Sequence, residues 1–296
     1  VYSTGTIEDV LRAEGIRPDF SSGALENVGQ DVPYALPKGF SQEDLVYLHR
    51  HLPAQEIYFV ATQKPHAFDV DASFRVAGKE PELWHPDTGK TEPAPYTVKN
   101  GVTTVRLHMD PEGSVFVVFR EKRSAPRPQR PAAPARELAT ITGPWRVAFA
   151  PNWGAPAKVT FPDLQSWTKS DDAGVKYFSG SAVYSKDVDV QPGWLHAGTP
   201  VLLDLGVVEA MAEVMVNGKP VGGVLWKPPF QVDIAPMLHA GSNHVAIKVT
   251  NLWPNRMIGD LQPGVTKRYT FTDFHAFRPD SPLLESGLLG PVRVLE

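Results

Sequence analysis

The sequence predicts an all-β protein built of two β-sandwich domains, a small sandwich followed by a jelly roll. Proline makes up 29 of the 296 residues, about twice the usual share of ~5%, and proline is disfavoured inside helices and central strands. Short runs rich in β-branched and aromatic residues, bounded by turn residues, recur in both halves of the chain. This pattern is typical of sandwich strands.

The first half contains the one predicted helix and then a series of short strands. Apolar residues recur at helical spacing over residues 5–14 (GTIEDVLRAE), and a cap residue precedes them. We interpret residues 1–40 as the end of an upstream α/β domain. The strand pattern begins near residue 45 and defines a small sandwich at residues 41–121, in which Asn100-Gly101 predicts a two-residue hairpin turn.

A linker and a second sandwich follow. The stretch KRSAPRPQRPAAPA contains four prolines and little to bury, so residues 122–138 are predicted to be a semi-extended linker. Residues 139–296 contain eight strand-like runs, a number that fits a jelly roll. The less regular, polar stretch 254–287 is predicted to be a loop, and loops on rigid sandwiches often bear function.

Charge and composition exclude several classes of protein. The formal net charge is −4, which gives no electrostatic reason to bind nucleic acid or an anionic membrane. No apolar run approaches the roughly 20 residues that a transmembrane helix needs. Because the chain has no cysteine, it has no disulfides and no thiolate metal sites.

Longer motifs resemble two glycosidase families. YFSGSAVYSKDVDV, LDLGVVEAMAEVMVNGKPVGGVLWKPPFQVDI and NHVAIKVTNLWPNRMIGD resemble the galactose-binding-like, sugar-binding jelly roll of family 2-type glycosidases. DLVYLHRHLPAQEIYFVATQ, ASFRVAGKEPELWHPDTGK and the ending SGLLGPVRVLE narrow the resemblance to the C-terminal portion of glycoside hydrolase family 106 α-L-rhamnosidases.

The resemblance implies a parent enzyme that releases terminal L-rhamnose, with its catalytic carboxylates in an N-terminal barrel. No such barrel is visible here, so the chain is expected to be a non-catalytic C-terminal fragment with no catalytic residue. Its implied partners are the catalytic domain of the same polypeptide and rhamnose-containing glycosides, in a periplasmic or secreted location. A stand-alone carbohydrate-binding protein and a purely structural module remain as alternatives.

The candidate sugar contacts are aromatic and polar residues of the second half. Trp226 and Trp253 could each offer an aromatic face to a sugar ring, and Asn255, Arg256 and Asp260 could bond its hydroxyl groups. Alternatively, the tryptophans fill the sandwich and Arg256 pairs with Asp260 across a turn.

Two further sets of residues have side chains that can bind metals or transfer protons, the strand histidines and the acidic residues near strands. The pair His49 and His51 alternates on a strand and could begin a metal site, but no third ligand is evident. Calcium remains possible in the jelly roll through backbone carbonyls. The following acidic residues near strands are interpreted as solvated carboxylates: Glu82, Asp87, Glu209, Asp233, Asp260, Asp273 and Glu285.

Overall fold

The computed structural model describes residues 13, 15, 19–22, 45–121, 136–273 and 276–296. Nearly all regular structure in these ranges is antiparallel β-sheet, which confirms the predicted fold class. The chain divides into two compact units, Val1–Ala132 and Ala133–Glu296. The predicted helix at 5–14, apart from residue 13, and the proline-rich stretch 122–135 lie outside the described residues.

The first unit contains two antiparallel sheets, with strand orders β1-β4-β8-β7 and β2-β3-β9-β5-β6. The strands are β1 (Phe20–Ser22), β2 (Val46–Leu52), β3 (Gln55–Ala61), β4 (Phe68–Phe74), β5 (Lys79–Trp84), β6 (Thr91–Pro93), β7 (Tyr96–Lys99), β8 (Val102–Met109) and β9 (Ser114–Glu121). Alternate residues of β4 are buried, as a sheet with one face on a core requires. Strand β1 pairs with β4, so a strand within the range 1–40 belongs to this sandwich.

The two strand histidines of the first unit are paired with acidic side chains. His49 stacks on Tyr58, with ring centroids 4.0 Å apart, and its two ring nitrogens lie 2.9 Å from Asp19 and 3.1 Å from Glu56. His51 also contacts Glu56, at 2.8 Å. Within the described residues no group of three or more potential metal-ligating side chains is present.

The second unit is a sandwich of a six-stranded sheet, β12-β11-β13-β19-β16-β17, and a four-stranded sheet, β10-β21-β14-β18, with a two-stranded sheet β15-β20 beside them. The strands are β10 (Glu137–Thr140), β11 (Trp145–Phe149), β12 (Lys158–Phe161), β13 (Ser181–Val190), β14 (Leu202–Asp204), β15 (Val207–Glu209), β16 (Met211–Val216), β17 (Lys219–Leu225), β18 (Gln231–Asp233), β19 (Gly241–Thr250), β20 (Gly287–Gly290) and β21 (Arg293–Leu295). Strand β10 begins inside the predicted linker 122–138.

One core fills this sandwich. Its largest fully buried side chains include Trp145, Trp167 and Tyr184. The Trp167 indole Nε1 donates to the Tyr184 hydroxyl at 2.6 Å, so both buried polar atoms are satisfied. Burial raises the pKa of Tyr184 to about 12, although hydrogen bonds from Leu288 and Trp167 act in the opposite direction.

Short helices connect the strands of the second unit. They are the α-helices Ala173–Lys176 and Pro254–Asp260 and the 3₁₀ helices Trp167–Lys169, Pro192–Trp194 and Ala235–Met237. The helix Pro254–Asp260 lies where a loop was predicted over 254–287. Proline fits the first helical position because its missing N–H needs no partner there. Among the described residues, no helix has the length and apolarity needed to cross a membrane.

Candidate functional site

The helix Pro254–Asp260 is anchored by a buried carboxylate at its C-terminal end. Asp260 is 4% exposed, and its Oδ2 accepts from the Tyr269 N–H at 2.8 Å and from the Thr270 N–H and hydroxyl, each at 2.7 Å. Its Oδ1 lies 3.0 Å from Arg256 Nε. Asp260 therefore folds residues 261–270 back onto the helix through Oδ2, while Oδ1 faces Arg256 Nε as an ion pair without a hydrogen bond.

Arg256 is also an internal residue. Its guanidinium lies 5.0 Å from the centre of the Tyr269 ring, and its backbone N–H donates to Ser179 Oγ at 3.0 Å. A side chain at Gly259 would place a Cβ 2.4 Å from Arg256 Nη2, so glycine makes room for the guanidinium. Arg256 and Asp260 pair at positions i and i+4 of one helix rather than across a turn.

Two asparagines fix the segment 284–286. Asn255 Nδ2 donates to the Leu284 carbonyl at 2.7 Å and to Ser286 Oγ at 2.8 Å, while Asn255 Oδ1 accepts from the Leu284 N–H. Asn251 Nδ2 donates to Ser286 Oγ and to the Phe178 carbonyl. Thus Asn255, like Arg256 and Asp260, is buried, and the side-chain oxygen and nitrogen of Asn255 are both hydrogen-bonded within the protein.

The two candidate tryptophans are both exposed, but in different settings. Trp253 is 53% exposed and meets Trp153 edge-on, with ring centroids 5.5 Å apart. Trp153 in turn lies 6.4 Å from Tyr269. Trp226 is 59% exposed between β17 and β18, and no ring contact joins it to Trp253 in the described part of the chain. Trp253 is thus the one candidate with an open surface and a rigid aromatic support.

A pocket of about 270 Å³ is lined in part by Leu252, the residue that precedes Trp253 in the chain. Its lining residues come from the end of β15, the end of β19 and the segment before β20, namely Glu209, Ala210, Asn251, Leu252, Leu284, Glu285 and Ser286. Glu209 pairs with Gly287 across the β15-β20 ladder, which brings Glu209 and Glu285 close together. No local sequence pattern indicates this pair, because a long-range strand pairing creates it.

The two carboxylates of this pocket repel each other. Burial raises the pKa of Glu209, and the neighbouring Glu285 carboxylate raises it further. In the described part of the chain neither carboxylate has a hydrogen-bond or ion-pair partner. A carboxylate such as Glu209, with a raised pKa and a second carboxylate beside it in a cleft, is a feature of functional sites.

Glu209→Gln is expected to stabilise the second unit at pH 7 by up to about 1 kcal/mol, because it removes one of two neighbouring like charges. A carboxyl whose pKa is raised by folding destabilises the folded state once the pH exceeds its ordinary value of 4.5. The gain should therefore disappear below that pH. Urea unfolding of both proteins at pH 4 and pH 7 measures it, and an equal gain at both would contradict the electrostatic cause.

Comparison with known proteins places the second unit in a family. Residues 116–276, more than half of the chain, match the model of the glycosyl hydrolases family 2 sugar binding domain. The chain belongs to this family. Residues 1–98 match the alpha-L-rhamnosidase model of glycoside hydrolase family 106, so the predicted resemblance to both families is confirmed.

Two similar proteins extend the comparison. The solved structure of a rhamnosidase from Novosphingobium sp. PP1Y is 40% identical to this chain, with a TM-score of 0.83. The match covers 98% of this chain and 26% of the rhamnosidase. A Formosa agariphila protein named "Putative beta-glucuronidase" is 38% identical over 177 residues, which are 52% of this chain and 15% of that protein. The chain thus spans about a quarter of the rhamnosidase and a smaller share of the second relative.

Proposed function

We propose that this chain is the accessory, non-catalytic C-terminal region of an α-L-rhamnosidase. In this role it supports the catalytic domain of the same polypeptide and contacts the rhamnose-containing substrate. The similarity to the Novosphingobium rhamnosidase along nearly the whole chain is the observation that carries the proposal. The family 2 sugar-binding match supports the same role for the second unit.

The half-exposed Trp253 supports a carbohydrate contact. Sugar rings have an apolar face of C–H groups that packs on aromatic rings, and an indole held from behind loses little entropy when a ligand binds. Trp153 and Tyr269 provide that backing. Asn255, Arg256 and Asp260 contribute by holding this surface rather than by touching the sugar, because all three are buried.

The chain alone is expected to bind methyl α-L-rhamnoside without hydrolysing p-nitrophenyl α-L-rhamnoside. Glycoside hydrolysis needs an acid and a second carboxylate placed about 5–10 Å apart across the glycosidic bond, and we assign that pair to another domain of the enzyme. Saturation-transfer NMR measures the binding, and release of nitrophenol measures turnover. Sustained turnover would overturn the non-catalytic role, and a complete lack of sugar binding would favour a structural module.

Trp253→Ala is expected to weaken rhamnoside binding about 2- to 12-fold, since one aromatic contact contributes roughly 0.5–1.5 kcal/mol. Its effect on stability should be small because half of the ring is in solvent. Trp226→Ala is the matched control, as it removes an equally exposed indole elsewhere. Equal losses of affinity in the two variants would argue against a site at Trp253.

A further inference from the structure

The pocket at Glu209 and Glu285 offers a ligand hydrogen-bond acceptors but few donors. The Asn251 side chain is fully used, because Oδ1 accepts from the Gly180 N–H and Nδ2 donates to Phe178 and Ser286. Ser286 Oγ donates to the Leu284 carbonyl and accepts from two asparagines. The side-chain groups that remain for a ligand are the two carboxylates.

The apolar residues that line the pocket restrict the ligand to molecules with a hydrophobic face. Leu252 and Leu284 are about half exposed, at 53% and 46%, and both line the pocket. A ligand that fits must combine several hydroxyl or amine donors with a hydrophobic face. The volume of about 270 Å³ lies near the lower end of ligand pockets, roughly 300–1,000 Å³, and suits a single sugar ring.

We propose that this pocket binds one neutral sugar unit, whose hydroxyl groups donate to Glu209 and Glu285, and that the same carboxylates exclude uronic acids. The proposal rests on the proposed function and deepens it. Hydrogen bonds from a diol would replace water at the half-buried Glu209 carboxylate and at the exposed Glu285 carboxylate beside it. A uronate carboxylate would add a third negative charge at the same place, and such like-charge contact is a strong source of discrimination.

A cation is a less suitable occupant. Calcium binds roughly six to eight oxygen ligands, several of them carboxylates or carbonyls. The described residues provide no third acidic or histidine side chain in such a group, and two leucine side chains face the same space. The hydrophobic surface therefore favours a sugar over a metal ion.

The test uses the 296-residue chain and two probes, methyl α-L-rhamnoside and methyl β-D-glucuronide, at pH 7. We expect the rhamnoside to shift the amide signals of Ala210, Leu284 and Ser286, and to bind at least about tenfold more tightly than the glucuronide. Glu285→Gln should reduce that preference several-fold, and Glu209→Gln should do the same. Glu213→Gln, in the same unit and paired with Lys248, is the matched control and should leave the preference unchanged. Thermal melts verify that each variant is folded.

The possible results separate the pocket from the wider function. Rhamnoside binding that shifts amide signals outside the pocket would overturn the pocket as the binding site and leave the proposed function intact. The same conclusion would follow if all three variants kept the same preference for the rhamnoside over the glucuronide. Equal affinity for the glucuronide would overturn the exclusion of uronic acids. Calcium chloride shifting these amides while neither sugar does would identify a cation site instead. Absence of sugar binding anywhere on the chain would overturn both proposals.

Discussion

Replacing Asp260 with alanine is expected to destabilise the second unit by about 3–5 kcal/mol, the usual cost of removing one partner of a buried ion pair. The variant would leave the buried Arg256 guanidinium without its counter-charge. It would also remove the acceptor of three hydrogen bonds from Tyr269 and Thr270. Because those bonds hold Tyr269 behind Trp153, the aromatic surface that includes Trp253 should loosen as well.

Urea unfolding followed by tryptophan fluorescence measures this effect, since six of the seven tryptophans lie in the second unit. The double variant Asp260→Ala, Arg256→Ala should lose less than the sum of the two single losses, because the unpaired charge is gone. Asp163→Ala, at an exposed position of the same unit, is the control for removing a carboxylate. A loss below about 1 kcal/mol in Asp260→Ala would contradict a buried structural pair.

The strands were predictable because their signals are local. Asn100-Gly101, the predicted hairpin turn, joins β7 to β8 with both residues at positive φ, 53° and 79°. The same dipeptide at Asn217-Gly218 joins β16 to β17, with φ of 52° and 76°. Such turns need two residues that tolerate positive φ, and an Asn-Gly pair in the sequence therefore predicts them.

The candidate site was predictable only in part, because its order comes from buried polar contacts. The helix Pro254–Asp260 buries Asn255, Arg256 and Asp260, so it shows no hydrophobic period that would distinguish it from a loop. The pair of Glu209 and Glu285 depends on the pairing of β15 with β20, which joins distant parts of the chain. Sequence spacing alone could not reveal either arrangement; of the two carboxylates predicted to be solvated, Glu285 is exposed and Glu209 is half-buried.

Gly287→Ala is expected to destabilise the second unit by about 2–4 kcal/mol, from overpacking of the core and strained backbone together. Gly287 has φ of +103°, and a Cβ there would lie 2.6 Å from Trp167 Nε1 and 2.7 Å from the Tyr184 hydroxyl. Both of those side chains are fully buried and hydrogen-bonded to each other, so neither has room to move away.

Gly264→Ala separates the two causes. Gly264 also has a positive φ, +79°, but a Cβ at this exposed position would meet nothing within 4 Å, so only backbone strain remains. We expect Gly264→Ala to cost about 1–2 kcal/mol and Gly287→Ala to cost clearly more. Equal costs would show that the core around Trp167 yields to an added methyl group. Since Gly287 lies opposite Glu209 in the β15-β20 ladder, its displacement should also weaken sugar binding in the adjacent pocket, whereas Gly264→Ala should not.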